Sequence, residues 1–262
     1  MLLSLLFACA PEFKVLTPTD DSGDIGPTEG DDSGLTEEEE ALWAGATLKI
    51  DAPESGAFLP LGEDANFEAS VYDAEGNVLD FDALTWATDQ DSTWSLLGAS
   101  VADATLGVGR HALTASAVLP NGDRLAYTVG GVLVQSAYAG VYAGTLSMDA
   151  AYDSYAVGCA GAASVIIDAA GTAVTGDAGC LLSLQGFDLD AQFNLDMENA
   201  DGDVSGAMNL DLQFFEYPLD AAGSVTEDGE FTINFEASLD IGAPVTLTGE
   251  LNALRISREV PQ

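Results

Sequence analysis

One histidine, three cysteines and 44 acidic residues bound the chemistry open to this chain. A Ser-His-Asp nucleophile would have to use His111, which sits between Arg110 and Ala112 in a stretch that reads as a strand near a domain rim. No Gly-x-Ser-x-Gly elbow accompanies it to present a serine. Glycoside hydrolysis needs only two carboxylates at a set separation, so among 44 acids no single pair carries weight. No GxGxxG run or P-loop is present. Cys159, Cys180 and a lone distant histidine do not make a zinc site. Calcium suits the hard oxygens of Asp89 and Asp91 in Ala87-Thr88-Asp89-Gln90-Asp91, and of Asp201 with Asp203. Both stretches lack the glycine and distal glutamate of an EF-hand, and a solvated turn is the default reading of each. The expectation is a protein without catalytic residues or cofactors, with calcium as the ion these turns would take.

Charge narrows the partners. Six Lys and Arg leave a formal net charge of -38 over 262 residues, and no cation occurs from Leu125 to Leu254. Such a surface repels phosphate backbones and anionic head groups, so nucleic acid is not an expected partner. Self-repulsion of this size weakens the compact state unless salt or divalent ions screen it, which points to a saline or calcium-containing milieu.

The N-terminal run Leu2-Leu3-Ser4-Leu5-Leu6-Phe7-Ala8 is far too short to span a bilayer and reads as the end of an export h-region. Leu6-Phe7-Ala8-Cys9 resembles the lipobox of bacterial lipoproteins. That resemblance implies acyl chains on Cys9, with residues 1–8 as an export-signal remnant. No Lys or Arg precedes Lys14, so the start codon is expected further upstream; the alternative is an ordinary secretory h-region or a chance apolar start with a nearby Cys. With Cys9 assigned to lipid, Cys159 and Cys180 remain. In an oxidising compartment they are expected to form a disulfide, the alternative being two buried thiols. Ala10 after Cys9 differs from the Asp tied to inner-membrane retention in some lipoproteins, and by resemblance this favours the outer membrane.

Behind Cys9, residues 9–44 form an acidic tether. From Thr17 to Glu40 the chain is Asp, Glu, Gly, Ser, Thr and Pro with almost no large apolar side chain, so it cannot bury enough surface to offset its ordering entropy. Thr36-Glu37-Glu38-Glu39 has capping-box spacing, which allows one helical turn before Trp43 or simply more linker.

Residues 45–136 show short alternating runs separated by turn chemistry: Phe67, Ala69 and Val71 before the Asp73-Ala74-Glu75-Gly76-Asn77 turn, then Leu84 with Trp86. A single strand is expected from Trp94 to Val101. Beyond it, His111 to Ala117 and Leu125 to Val129 flank Pro120-Asn121-Gly122-Asp123. Phe67-Glu68-Ala69-Ser70-Val71-Tyr72-Asp73, Leu84-Thr85-Trp86 and Gly109-Arg110-His111-Ala112-Leu113-Thr114-Ala115 resemble bacterial immunoglobulin-like or PKD-like domains. The resemblance implies a β-sandwich with Trp86 in its core and no catalytic residue.

Residues 137–262 carry the clearest period-2 signal. Leu189, Ala191, Phe193, Leu195 and Met197 alternate with Asp188, Asp190, Gln192, Asn194, Asp196 and Glu198; the pattern resumes after Asn199-Ala200-Asp201-Gly202-Asp203 and again after Glu227-Asp228-Gly229-Glu230. About eight strands in hairpin succession predict an antiparallel barrel or curved sandwich. A narrow lumen lined by Asp188, Asp190, Asp196, Asp211, Glu236 and Asp240 would crowd carboxylates in low dielectric, so the acids are placed outside and the apolar stripe inside.

The expected fold is therefore all-β, an immunoglobulin-like sandwich followed by a barrel-like domain. The expected protein is exported to the cell envelope, attached to the membrane through lipid on Cys9, and non-catalytic, presenting both domains to a protein, glycan or surface. The alternative is a lipocalin-like carrier of an apolar molecule. What separates the two is whether Phe193, Leu210, Phe214, Phe231 and Phe235 close-pack or line a cavity.

Overall fold

A computed structural model describes residues 35–153, 155–184, 187–212, 215–240 and 244–261. Cys9, the segment read as a tether up to residue 34, and Phe214 lie outside the described residues. Residues 35–262 form one compact unit built on two hydrophobic cores. The fold is all-β, with a single short helix among the described residues.

That helix, α1 (Glu37–Trp43), is where the capping-box spacing acts. The Thr36 hydroxyl accepts from the Glu39 N–H, and the Glu39 carboxylate accepts from the Thr36 N–H, satisfying two of the donors a helix start leaves open. Four glutamates in the first turn suit the positive end of the helix dipole. Trp43 then enters the first core, edge-on to Phe81 at 5.7 Å.

The first core lies between two sheets. In one, β3 (Ala65–Tyr72) is flanked by β1 (Thr47–Ala52) on one edge and by β4 (Val78–Leu79) and β7 (Ser100–Asp103) on the other. The other runs β2 (Phe58–Pro60), β9 (Arg124–Gln135), β8 (Gly109–Val118), β5 (Leu84–Thr88), β6 (Ser95–Leu97), with β2 joining β9 in parallel. Phe67 from one sheet and Trp86 from the other meet edge to face at 5.6 Å, both fully buried, and Trp94 tilts against Phe67 at 5.5 Å. The single strand expected from Trp94 to Val101 is two strands in opposite sheets: β6 pairs with β5 and β7 with β3. The chain crosses over at Gly98, whose φ of 125° a side-chain-bearing residue would resist. The Gly98 carbonyl accepts from the Trp86 indole at 2.9 Å, which ties the crossover to the core.

The second core is the inside of a closed antiparallel barrel: β10 (Gly140–Tyr152), β11 (Tyr155–Ile167), β12 (Ala173–Leu184), β13 (Phe187–Ala200), β14 (Asp203–Leu212), β15 (Phe215–Val225), β16 (Glu230–Asp240) and β17 (Pro244–Ser257), with β17 closing on β10. Of the two forms expected, it is the barrel. A circuit of paired residues leaves β10 at Gly140, passes Ile167, Val174, Met197, Gly206, Ala221, Phe235 and Gly249, and returns to β10 at Met148. So small a stagger makes a narrow barrel that side chains can fill. The layer mixes large residues, Ile167, Val174, Met197 and Phe235, with small ones, Gly140, Gly206, Ala221 and Gly249. Gly249 is opposite Phe235, and a Cβ there would stand 2.1 Å from the ring. The acids of β13 face solvent and its apolar residues face inward.

Candidate functional site

His111, two residues into β8, is buried at 2% exposure. Its Nε2 donates to the Gly107 carbonyl at 2.8 Å, since a carbonyl can only accept, and its Nδ1 therefore accepts from the Thr88 hydroxyl, also at 2.8 Å. Both ring nitrogens are thus spent within the sandwich.

Of the turns read as calcium candidates, the first has its carboxylates bonded to nearby donors. Asp89 accepts from the Ala112 N–H at 2.8 Å, which holds its carboxyl below the usual carboxylate range. Asp91 accepts from the hydroxyl and N–H of Thr93 and is lowered in the same way. Asp201 and Gly202, both at positive φ, form the two-residue turn between β13 and β14, with Asp203 opening β14. Among the described residues no three His, Cys, Asp or Glu side chains gather as a metal cage.

Cys159 and Cys180 are joined by a disulfide with Cα atoms 5.7 Å apart. Its place in the barrel is informative. The β11–β12 ladder runs from Ile167↔Val174 to Gly161↔Cys180, and Cys159 lies just past its end, so the bridge staples the wall where pairing stops.

A second seam has no staple. The β15–β16 ladder holds from Val225↔Phe231 to Ala221↔Phe235; beyond that point, among the described residues, β15 pairs only with β14, and β16 only with β17. Three residues explain the parting. Val225 donates its N–H toward β14, at the Gly202 carbonyl, whereas Thr226 donates toward β16, at the Glu230 carbonyl. By alternation the N–H groups of 216, 220 and 224 face the seam, and at Pro218 that donor is missing. Continuing the register would also set Asp220 opposite Glu236, two like charges side by side. At the fork lies an outer groove of about 720 Å³, lined by Ser205, Asp220, Ala222, Asn234, Glu236 and Thr248 among others. Glu216, Asp220, Glu236 and Ser238 are exposed on the outer face, while Leu219 and Leu239 are buried on the inner face.

The cations collect elsewhere. Arg258 stacks 4.4 Å over Phe58, its carbonyl accepts from Gln135 at 2.6 Å, and Glu259 bridges Arg110 at 2.5 Å. Arg255 donates to the Ala137 carbonyl at 2.5 Å and to that of Glu227. Two of the chain's six cations, Arg110 and Arg258, thus join sandwich and barrel, and Arg255 ties the linker to the β15–β16 turn. Beside them lies a cleft of about 440 Å³, lined by Glu63, Tyr138, Asp201 and Glu227 among others, where desolvation and then the carboxylates of Glu227, Asp201 and Asp203 push the Tyr138 phenol above its usual range.

Inside the barrel Leu210 is inaccessible to solvent, Phe193 and Phe231 are 1% exposed and Phe235 is 5% exposed, and all four belong to one packed core. Toward the end of the barrel away from the sandwich, Leu189, Leu212, Tyr217, Ala237 and Val245 are only partly buried.

No protein-family model matches this chain. A search of curated proteins finds none that matches it. The reading of the site therefore rests on its geometry. The sequence reading passed over Pro218, although a proline inside an otherwise alternating run is a signal of an open edge. It also passed over Arg255 and Arg258, the first cations to follow a long cation-free stretch.

Proposed function

We propose that this chain is an exported, lipid-anchored envelope protein whose sandwich and barrel form a non-catalytic binding scaffold, with the outer wall of the barrel as its working surface. One observation carries this reading: the barrel core is packed with side chains while its wall parts between β15 and β16. A packed interior favours a scaffold over a central-cavity carrier, because small soluble barrels that hold a ligand leave room for it. The lipobox-like Leu6-Phe7-Ala8-Cys9 and the acidic stretch after it supply the anchor and reach of the proposal.

The test is mass spectrometry of the protein recovered from a bacterial envelope fraction, intact and under native conditions. The expected result is acyl mass confined to the peptide that begins at Cys9, lost in Cys9→Ala, with no small molecule retained by the folded unit. Unmodified Cys9 would overturn the anchor. A retained apolar molecule would favour the carrier, whose site would then be the partly buried end around Leu189, Leu212 and Tyr217.

A further inference from the structure

We infer that the seam-facing edge of β16, from Glu236 to Asp240, takes an extended segment of another protein in which Lys or Arg alternates with apolar residues. The inference rests on the binding-scaffold reading and names the partner class for that surface.

The backbone comes first. A strand that pairs on one side only presents unpaired N–H and C=O groups on the other, which is a template for a further strand. On β16 the residues at 236 and 238 aim these groups at the seam, in the same sense as Glu230, whose carbonyl accepts from Thr226 across it. β15 is the poorer template, because Pro218 removes a donor from the same edge.

Side chains then set the pattern an incoming strand must match. Successive residues of a docked strand face opposite sides of the sheet. On the outer side they would meet Glu216, Asp220 and Glu236, and on the inner side the apolar layer of Leu219 and Leu239. No Lys or Arg occurs from Leu125 to Leu254 to compensate those carboxylates. A basic residue at every second position would relieve the Asp220–Glu236 repulsion that keeps the strands apart, and the apolar residues between would cover the inner layer. A second copy of this chain does not fit, since two bodies of formal charge -38 repel. An anionic membrane is excluded on the same ground.

The test uses the full chain and a fluorescein-labelled nonapeptide of alternating lysine and valine, read by anisotropy at low and physiological salt. A block isomer of the same composition, with its lysines contiguous, is the control for charge alone. Ser238→Pro removes a seam-facing donor and leaves the β16–β17 ladder intact, so circular dichroism and the melting midpoint are expected to stay near wild type. The alternating peptide is expected to bind, and to bind at least about tenfold more weakly to Ser238→Pro and to Glu236→Lys. The block isomer is expected to bind the wild type at least about tenfold more weakly than the alternating one. Absent binding, equal binding of the two peptides, or wild-type affinity in a folded Ser238→Pro would each overturn the inference. Should Ser238→Pro fail to fold, Glu236→Lys and the peptide pair decide alone. Acyl mass on Cys9 is read on a different residue by a different measurement, so failure here leaves the anchor reading standing.

Discussion

The sandwich and the barrel solve the same problem, ordering an acid-rich chain, by different means. In the sandwich, carboxylates are put to work as local acceptors: Asp73 closes the turn to Asn77, Asp89 holds the Ala112 N–H, and Asp103 accepts from the Trp94 indole and from Thr105. A polar pair, Thr88 and His111, is buried within it and satisfied. The barrel instead sends its acids outward and keeps an apolar interior, with Asn199 at its rim as the buried polar side chain among the described residues. Its irregularities are backbone ones: Gly249 under Phe235, and Pro218 at the seam. A region stabilised by side-chain acceptors should answer to pH and to single polar deletions, and one stabilised by packing should answer to volume.

The largest expected effect tests whether the two cores are separate. Phe67→Ala in the sandwich and Phe193→Ala in the barrel should each cost about 3–5 kcal/mol in their own region. All three tryptophans, Trp43, Trp86 and Trp94, belong to the sandwich core, so their fluorescence follows that region while far-UV circular dichroism follows both. Phe193→Ala is expected to move the dichroism transition and leave the tryptophan transition in place. Coincident shifts would merge the two cores into one cooperative unit.

Thr88→Val comes next. It keeps the shape of the site and leaves the His111 Nδ1 without its donor, so a loss of about 1–3 kcal/mol is expected in the tryptophan-detected transition alone. A neutral result would mean that the buried polar pair contributes nothing to the sandwich.

The smallest effect is with acid. Asp73, Asp89, Asp91 and Asp103 are held below the usual carboxylate range: Asp73 by the side chain and N–H of Asn77, Asp89 by the Ala112 N–H, and Asp91 by Thr93. At Asp103 burial pushes upward and is outweighed by the Trp94 indole and Thr105. A depressed folded value means that the native state binds fewer protons than the unfolded one. The stabilisation is therefore complete above about pH 4–5 and is lost as the pH falls through about 4 toward the lower folded values. Urea midpoints read by tryptophan emission should drop across that window. Midpoints that stay flat would remove the carboxylate clasps from the comparison.

Much of the barrel was legible because its signal is local. The alternation from Leu189 to Met197 sets which side chains face inward, and desolvation of Asp188 and Asp190 decides which face that is. Closure was not legible in the same way, because the pairing of Leu146 with Leu251 joins residues far apart in sequence and leaves no mark on either strand alone. In the sandwich, Trp86 and the hairpin turns could be read, whereas the switch of sheets at Gly98 could not, since the run from Trp94 to Val101 does not reveal which neighbour each half will choose. His111 illustrates the same limit. Its place on a strand followed from the sequence, but its burial depends on Thr88, which the pairing of Thr88 with Leu113 brings alongside.

The junction has a mechanical consequence. β9 leads into β10 through four residues, and the tail after β17 returns across the same gap through Arg258 and Glu259 to Gln135 and Arg110. A pull applied between the N-terminal segment and a partner held on β16 must cross this gap, where it is shared between the covalent chain and the tail clasp. At the sandwich end, β2 lies parallel and in register with β9 from Phe58↔Leu133 to Pro60↔Gln135. A load that draws these strands in opposite directions shears all their hydrogen bonds at once instead of peeling them singly, so the joint should yield later than the parted wall of the barrel.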